Sequence, residues 1–264
     1  MKFNEVLTNH TFKTLKEITD LYDNPKDLVK IYNNMGIGYP KEHSADTFSS
    51  RIEKEANSQN VRYPNDLLKY REGSCIEHAL FMHYFCEASG IYSKIAICEV
   101  IAEVNDVYYN WGHATCFIKI DKDTTGLFVY NGKKEKWEIQ ISKYNMDKCI
   151  GLFQRVMKLC AQRTIVYEKN FLASIFRTIY NTYCIEFDKY DTLAKAYDSH
   201  YNKKDITRID FYYKYVAKEF KKKYGKDFIN SDNRPKSYLY FNTNISLIQN
   251  IYDAMLILLK ATIL

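Results

Sequence analysis

Arg71-Glu72-Gly73-Ser74-Cys75-Ile76-Glu77-His78-Ala79 is the stretch on which the fold turns. Ser74 and Glu77 have the spacing of a capping box, in which the hydroxyl accepts from the N3 amide and the carboxylate reaches back to the cap. That spacing predicts a helix whose first residue is Cys75. A thiol there meets unpaired backbone N–H groups and the positive end of the helix dipole, and both favour the thiolate, the nucleophilic form. Gly73 permits a tight turn into the helix and leaves room for a substrate backbone. The Cys75 N–H is placed to donate to an oxyanion. Taken alone, the same pattern also describes an ordinary buried cysteine at a helix start.

Working outward, the helix is expected to run to about Ser89 and to stop at Gly90. Strands are expected over Lys94–Val104, Ala114–Ile120, Leu127–Tyr130 and Trp137–Ile141, with the polar run Asp121–Gly126 closing a hairpin. A helix followed by antiparallel strands implies an α+β core over 71–142. Asn110-Trp111-Gly112-His113-Ala114 precedes the second of these strands. A thiol nucleophile needs a base, and His113, 38 residues beyond Cys75, is the candidate. Asn131, at the end of the third strand, is the candidate to orient the imidazole, with Asp121 and Asp123 as competitors in the turn. Asn131-Gly132 is equally a common turn pair. Trp111 is placed either to wall a substrate channel or to pack at the sheet edge.

Gly73-Ser74-Cys75-Ile76-Glu77-His78-Ala79 resembles the Gly-x-Cys-x-x-x-Ala signature of transglutaminase-like proteins. Gly112-His113-Ala114 resembles their Gly-His-Ala strand motif, and Asn131 falls where that family places an acidic residue. The resemblance spans Arg71 to Trp137. It implies a papain/transglutaminase-like core, a nucleophile helix packed on an antiparallel sheet. It also implies a Cys75–His113–Asn131 triad attacking an amide or peptide bond, as a protease, an amidase or a transglutaminase-type enzyme. Gly73 and Trp111 would then line the site for a protein or peptide substrate, and no cofactor is implied. Two departures are Asn131 itself, where Asp is usual, and Thr115, where an aromatic often follows His-Ala. The arylamine N-acetyltransferases are a weaker likeness, with Glu72 where they carry a second glycine. The same resemblance admits another class of function, a fold without catalysis that serves as a protein-interaction module.

His78, His83 and Cys86 follow Cys75 at offsets of 3, 8 and 11, which is no recognised ligand pattern, so no metal is expected. His78 is expected at the surface or behind Cys75, and Gln59 or Asn65 are further candidates to donate to an oxyanion.

The flanks differ in period from the middle. Residues 1–70 suggest short helices: Phe12, Leu15, Ile18, Leu21 and Tyr22 share a helical face, and Asn24-Pro25 opens a helix carrying Leu28, Val29 and Tyr32. From Asn145 the helical period returns. Met146, Ile150, Phe153, Met157 and Cys160 form one stripe, and Phe171, Ile175, Phe176, Ile179 and Tyr183 another. Further helices are expected over Ile206–Tyr224 and Ile245–Leu259. This part, 143–264, is expected to be helical, packed on the core or forming a subdomain, with its last stripe available to an oligomer.

Composition bounds the partners. At 46% hydrophobic and 27% charged, the chain falls in the globular class. A net charge of +6, drawn partly from Lys218–Lys226, is modest and comes without a groove-reading motif, which argues against a nucleic-acid partner. Seven cysteines without a CxxC pair argue for a reducing compartment rather than a disulfide framework. With no apolar leader after Met1-Lys2 and no apolar run longer than the short Ala254–Leu259, the expectation is a cytoplasmic protein without membrane contact.

Overall fold

Helices lead into an antiparallel sheet in a computed structural model that describes residues 12–39, 64–73, 75–104, 107–169, 179–187, 222, 239–241 and 253. Thr14 caps α1 (Leu15–Thr19), its hydroxyl accepting from the Glu17 N–H. Ile18 is buried, whereas Leu21, past the helix end, is exposed. Asn24 caps α2 (Pro25–Asn34) by accepting from the Lys26 N–H at 2.9 Å, and Pro25 supplies the fixed φ of a first turn. Helix α3 (Pro64–Tyr70) is tied to α1 by the Leu15 N–H, which donates to Asn65 Oδ1.

Helix α4 (Cys75–Ala88) begins and ends where its sequence requires. Gly90, at φ +70°, takes the left-handed conformation, and the Ile91 N–H donates to the Cys86 carbonyl at 2.7 Å while the Gly90 N–H donates to Glu87. These two bonds make a Schellman ending. Every residue from Glu77 to Cys86 is buried, so α4 is a central helix with neighbours on all sides.

The sheet comprises β1 (Ser93–Val104), β2 (Val107–Lys119), β3 (Thr125–Asn131), β4 (Lys136–Ser142), β5 (Ile179–Phe187) and β6 (Leu239–Phe241). Its order is β4-β3-β2-β1-β5, all antiparallel. The β2–β3 ladder ends at Cys116↔Phe128, and beyond it β6 runs parallel to β2 beside Tyr109–Trp111. Helix α5 (Met146–Lys169) follows β4.

The α+β class therefore holds, but two stretches of the part expected to be helical are strands of this same sheet. Ile179 and Tyr183, assigned above to a helical stripe, lie in β5. Ile-Tyr-Asn-Thr-Tyr-Cys-Ile-Glu-Phe is rich in β-branched and aromatic residues, which favour a strand paired along β1. The remaining stripes, at 171–176, 206–224 and 245–259, lie outside the described residues save for Lys222 and Asp253, both helical, and Asp253 takes an ion pair from Lys133 at 2.9 Å.

Side chains alternate across a strand, and the two faces of the sheet meet different helices. Ile95, Ile97, Ala114, Cys116, Ile118, Phe128, Tyr130 and Trp137 pack with α4 and the helices outside it. The opposite set, which includes Ala96, Cys98, Val100, His113 and Phe117, is also buried. Here α5 is the neighbour, with the Phe153 ring 5.8 Å from that of Phe117.

Candidate active site

Cys75 stands where the capping pattern puts it, as the first residue of α4, and is half-buried. Its surroundings are aromatic. Tyr39 lies close enough to feel its charge: burial pushes the Tyr39 phenol well above its ordinary range, and electrostatic repulsion from Cys75 and then Tyr130 adds to that. Tyr39 in turn stacks on Trp137 at 5.6 Å and packs edge-on against His78 at 5.1 Å.

Gly73, expected to leave room for a substrate, sits instead in filled space. A Cβ built there would lie 2.6 Å from Leu67 Cδ1 and 3.1 Å from Glu77 Oε2. Its backbone is also engaged, the N–H donating to the Gly38 carbonyl at 3.1 Å and the carbonyl lying 3.1 Å from His78 Nε2. Gly73→Ala is accordingly expected to lower stability by about 1–3 kcal/mol through overpacking, seen as a lower urea midpoint by circular dichroism. A variant as stable as the wild type would show that Leu67, itself buried, gives way.

His78, expected near the surface, is fully buried. Its Nε2 lies 3.1 Å from both the Gly38 and Gly73 carbonyls, so one ring contacts both of the chain segments that pair as a parallel bridge at Gly38 and Glu72. Trp137 closes the cluster with its ring 4.4 Å from His78. The largely apolar run from Ala79 to Phe85, interrupted only by His83, was the available signal, since a helix apolar nearly all round has no solvent face to offer a histidine.

His113 is on the other side of the sheet. It belongs to the set that faces α5, and its ring lies 6.0 Å from that of Phe153. Its cross-strand partner on β1 is Cys98. The imidazole is 7% exposed, and its Nδ1 has no hydrogen-bond partner among the described residues. Burial lowers its pKa to about 4, which keeps the ring neutral. The expected Cys75–His113 pair is therefore not brought together: Cys75 belongs to the helix on one face and His113 projects from the other.

Asn131 shares the face of Leu127, the cross-strand partner of Phe117, and so the face of His113. Its amide is used within its own turn, Oδ1 accepting from the Lys134 N–H at 3.3 Å and Nδ2 lying 3.5 Å from Glu138 Oε1. The turn role proposed for Asn-Gly is the one observed. Asp121 likewise closes the β2–β3 turn, accepting from the Asp123 N–H at 2.9 Å. Asn65 is committed to α1, while Ser74, Gln59 and the Trp111 side chain lie outside the described residues. The pairing that sequence reasoning missed is Cys98 with His113, a neighbour set by strand register and invisible without it.

Among the described residues no helix is long and apolar enough to cross a membrane. Compared with family models, with curated proteins and with solved structures, the chain matches none.

Proposed function

We propose that this chain is a transglutaminase-like domain that works by holding a protein or peptide partner rather than by cleaving one. The observation that supports this reading is the placement of Cys75 and His113 on opposite faces of one sheet. Thiol attack on an amide needs its base within hydrogen-bond reach, about 2.6–3.2 Å. A strand residue changes face only if the register slips by one, and β2 is paired with β1 along its length from Val107 to Ile118. On this reading Cys75 is a helix-start residue and His113 a core residue. The absence of disulfides among the described cysteines suits a cytoplasmic setting.

A second reading, cysteine-dependent acyl transfer, is favoured by one observation: Cys75 is half-buried at the first position of a long helix, where the dipole favours a thiolate. The pH dependence of Cys75 alkylation by iodoacetamide separates the two. If the domain only binds, Cys75 reacts as an ordinary thiol of pKa about 8.5 and is indifferent to His113→Ala. Reaction well below that pH, lost in His113→Ala, would overturn the binding reading and establish an activated pair.

A further inference from the structure

Strand β4 ends the sheet, with β3 as its one strand neighbour among the described residues. Its register with β3 runs without a bulge from Lys136 to Ser142, so its backbone groups alternate between facing β3 and facing away. Asn33 shows which groups face away. Its Oδ1 accepts from the Trp137 N–H at 2.8 Å and its Nδ2 donates to the Trp137 carbonyl at 3.0 Å, the pair of bonds that a neighbouring strand would make. The cover stops there. By alternation Ile139 and Ile141 turn their N–H and C=O groups to the same side, where no described residue bonds them. The side chains along this edge are apolar: Ile141 is 48% exposed, Ile120 close by is 47% exposed, and Ile139 packs partly buried against the core.

The ends of the edge are basic. Lys133 and Lys134, in the turn before β4, are paired with Asp253 and Glu138. Lys136, which opens the strand, and Lys143, which follows it, are exposed and take no ion pair among the described residues. We propose that an extended, acidic segment of a partner protein adds to β4 as a further strand along Ile139 and Ile141. Unpaired groups on a sheet edge are a template for such addition, with main-chain bonds giving affinity and alternate side chains giving selectivity. Apolar side chains at alternate positions of the segment lie beside Ile139 and Ile141, and carboxylates toward its ends reach Lys143 and Lys136. A second copy of β4 would bring the same two lysines to the edge, and like charges disfavour it. Strand addition rests on the binding reading above and gives it a surface and a partner chemistry.

The probe is a fluorescein-labelled peptide of alternating valine and threonine with glutamates at both ends, titrated with the full chain and followed by fluorescence anisotropy. It should bind saturably, and more weakly as salt rises. The same peptide N-methylated throughout its valine–threonine core, or ended in lysines, should bind at least about tenfold more weakly. Ile141→Pro removes an outward N–H while leaving the bonds to β3, and should weaken binding by a similar factor with the circular dichroism spectrum unchanged. Lys136→Glu combined with Lys143→Glu should weaken it as well and accept the lysine-ended peptide instead, so the surface stays testable if the proline variant fails to fold. No saturable binding by the wild type, full binding by Ile141→Pro, or a wild-type dimer that Ile141→Pro makes monomeric would each overturn the proposal. Alkylation of Cys75 in the same sample keeps two failures apart. An unbound probe beside an ordinary thiol rejects the β4 surface alone, whereas an activated Cys75 rejects the binding reading itself.

Discussion

Replacing Trp137 with alanine is expected to lower the free energy of unfolding by about 3–5 kcal/mol. Trp137 is 3% exposed and forms the centre of the ring cluster on the α4 side of the sheet. Phe128 stacks on it at 4.4 Å, Tyr39 stacks at 5.6 Å, and Tyr32 meets it edge-on at 5.8 Å. The indole N–H donates to the Ile37 carbonyl at 2.8 Å, and that bond joins β4 to the segment after α2. Asn33 fixes the same residue from the main chain, its amide bonding both the Trp137 N–H and the Trp137 carbonyl. Alanine would leave the rings without their common partner and the Ile37 carbonyl without its donor. Trp137→Phe separates these effects: it keeps the stacking and loses the N–H, and should cost about 1–3 kcal/mol. Urea unfolding followed by circular dichroism measures both. A loss under about 1 kcal/mol in the alanine variant would mean that the cluster is not the core described here. Domains carry about 5–15 kcal/mol in total, so the alanine variant is expected to lie near the limit of folding.

Acidification is expected to destabilise the chain through His113 by about 3 kcal/mol between pH 7 and pH 4. Burial holds the folded pKa at about 4, whereas an unfolded histidine titrates near 6.5. Above pH 6.5 both states are neutral and the full stability is present. As pH falls below 6.5 the unfolded chain takes up a proton that the folded chain refuses, and stability declines until the folded pKa is reached. Below pH 4 the slope from this residue disappears. Carboxylates titrate in part of the same window, so the comparison is with His113→Leu, whose stability should lack this component. Unfolding free energies of the two proteins should converge or cross as pH falls. Parallel profiles would mean that His113 is solvated in the folded chain.

Parts of this architecture were legible in the residues. The start of α4 at Cys75 and its glycine stop follow from local signals, each spanning only a few positions. The β2–β3 turn and the strands around it follow from alternation and polar punctuation. The face taken by His113 was not legible, for a physical reason. Ala114, Cys116 and Ile118 on one side of β2 and Thr115 and Phe117 on the other are all buried, so parity carries no inside or outside. Only the arrival of α5 on the second face gives His113 its neighbours. The motif around Cys75 constrains local sequence, whereas pairing it with His113 requires a relation across the sheet that spacing does not encode. β5 was misread for a related reason: Ile179 and Tyr183 are four apart, a helical separation, in a segment whose paired alternation shows only beside β1.

The sheet also has a history written in its connections. β1 and β2 meet through Val104↔Val107, and β3 and β4 follow within a few residues of one another, so these hairpins close early and at small entropic cost. β5 meets β1 only after α5 has intervened, joining Cys98 to a residue 86 positions later. During synthesis the β1 edge from Ile95 to Glu103 therefore waits without its strand partner while β1 to β4 can already pair. An apolar strand waiting with an open edge is a template for wrong pairing. The interval before β5 reaches β1 is thus a kinetic quantity that the stability of the finished fold does not report.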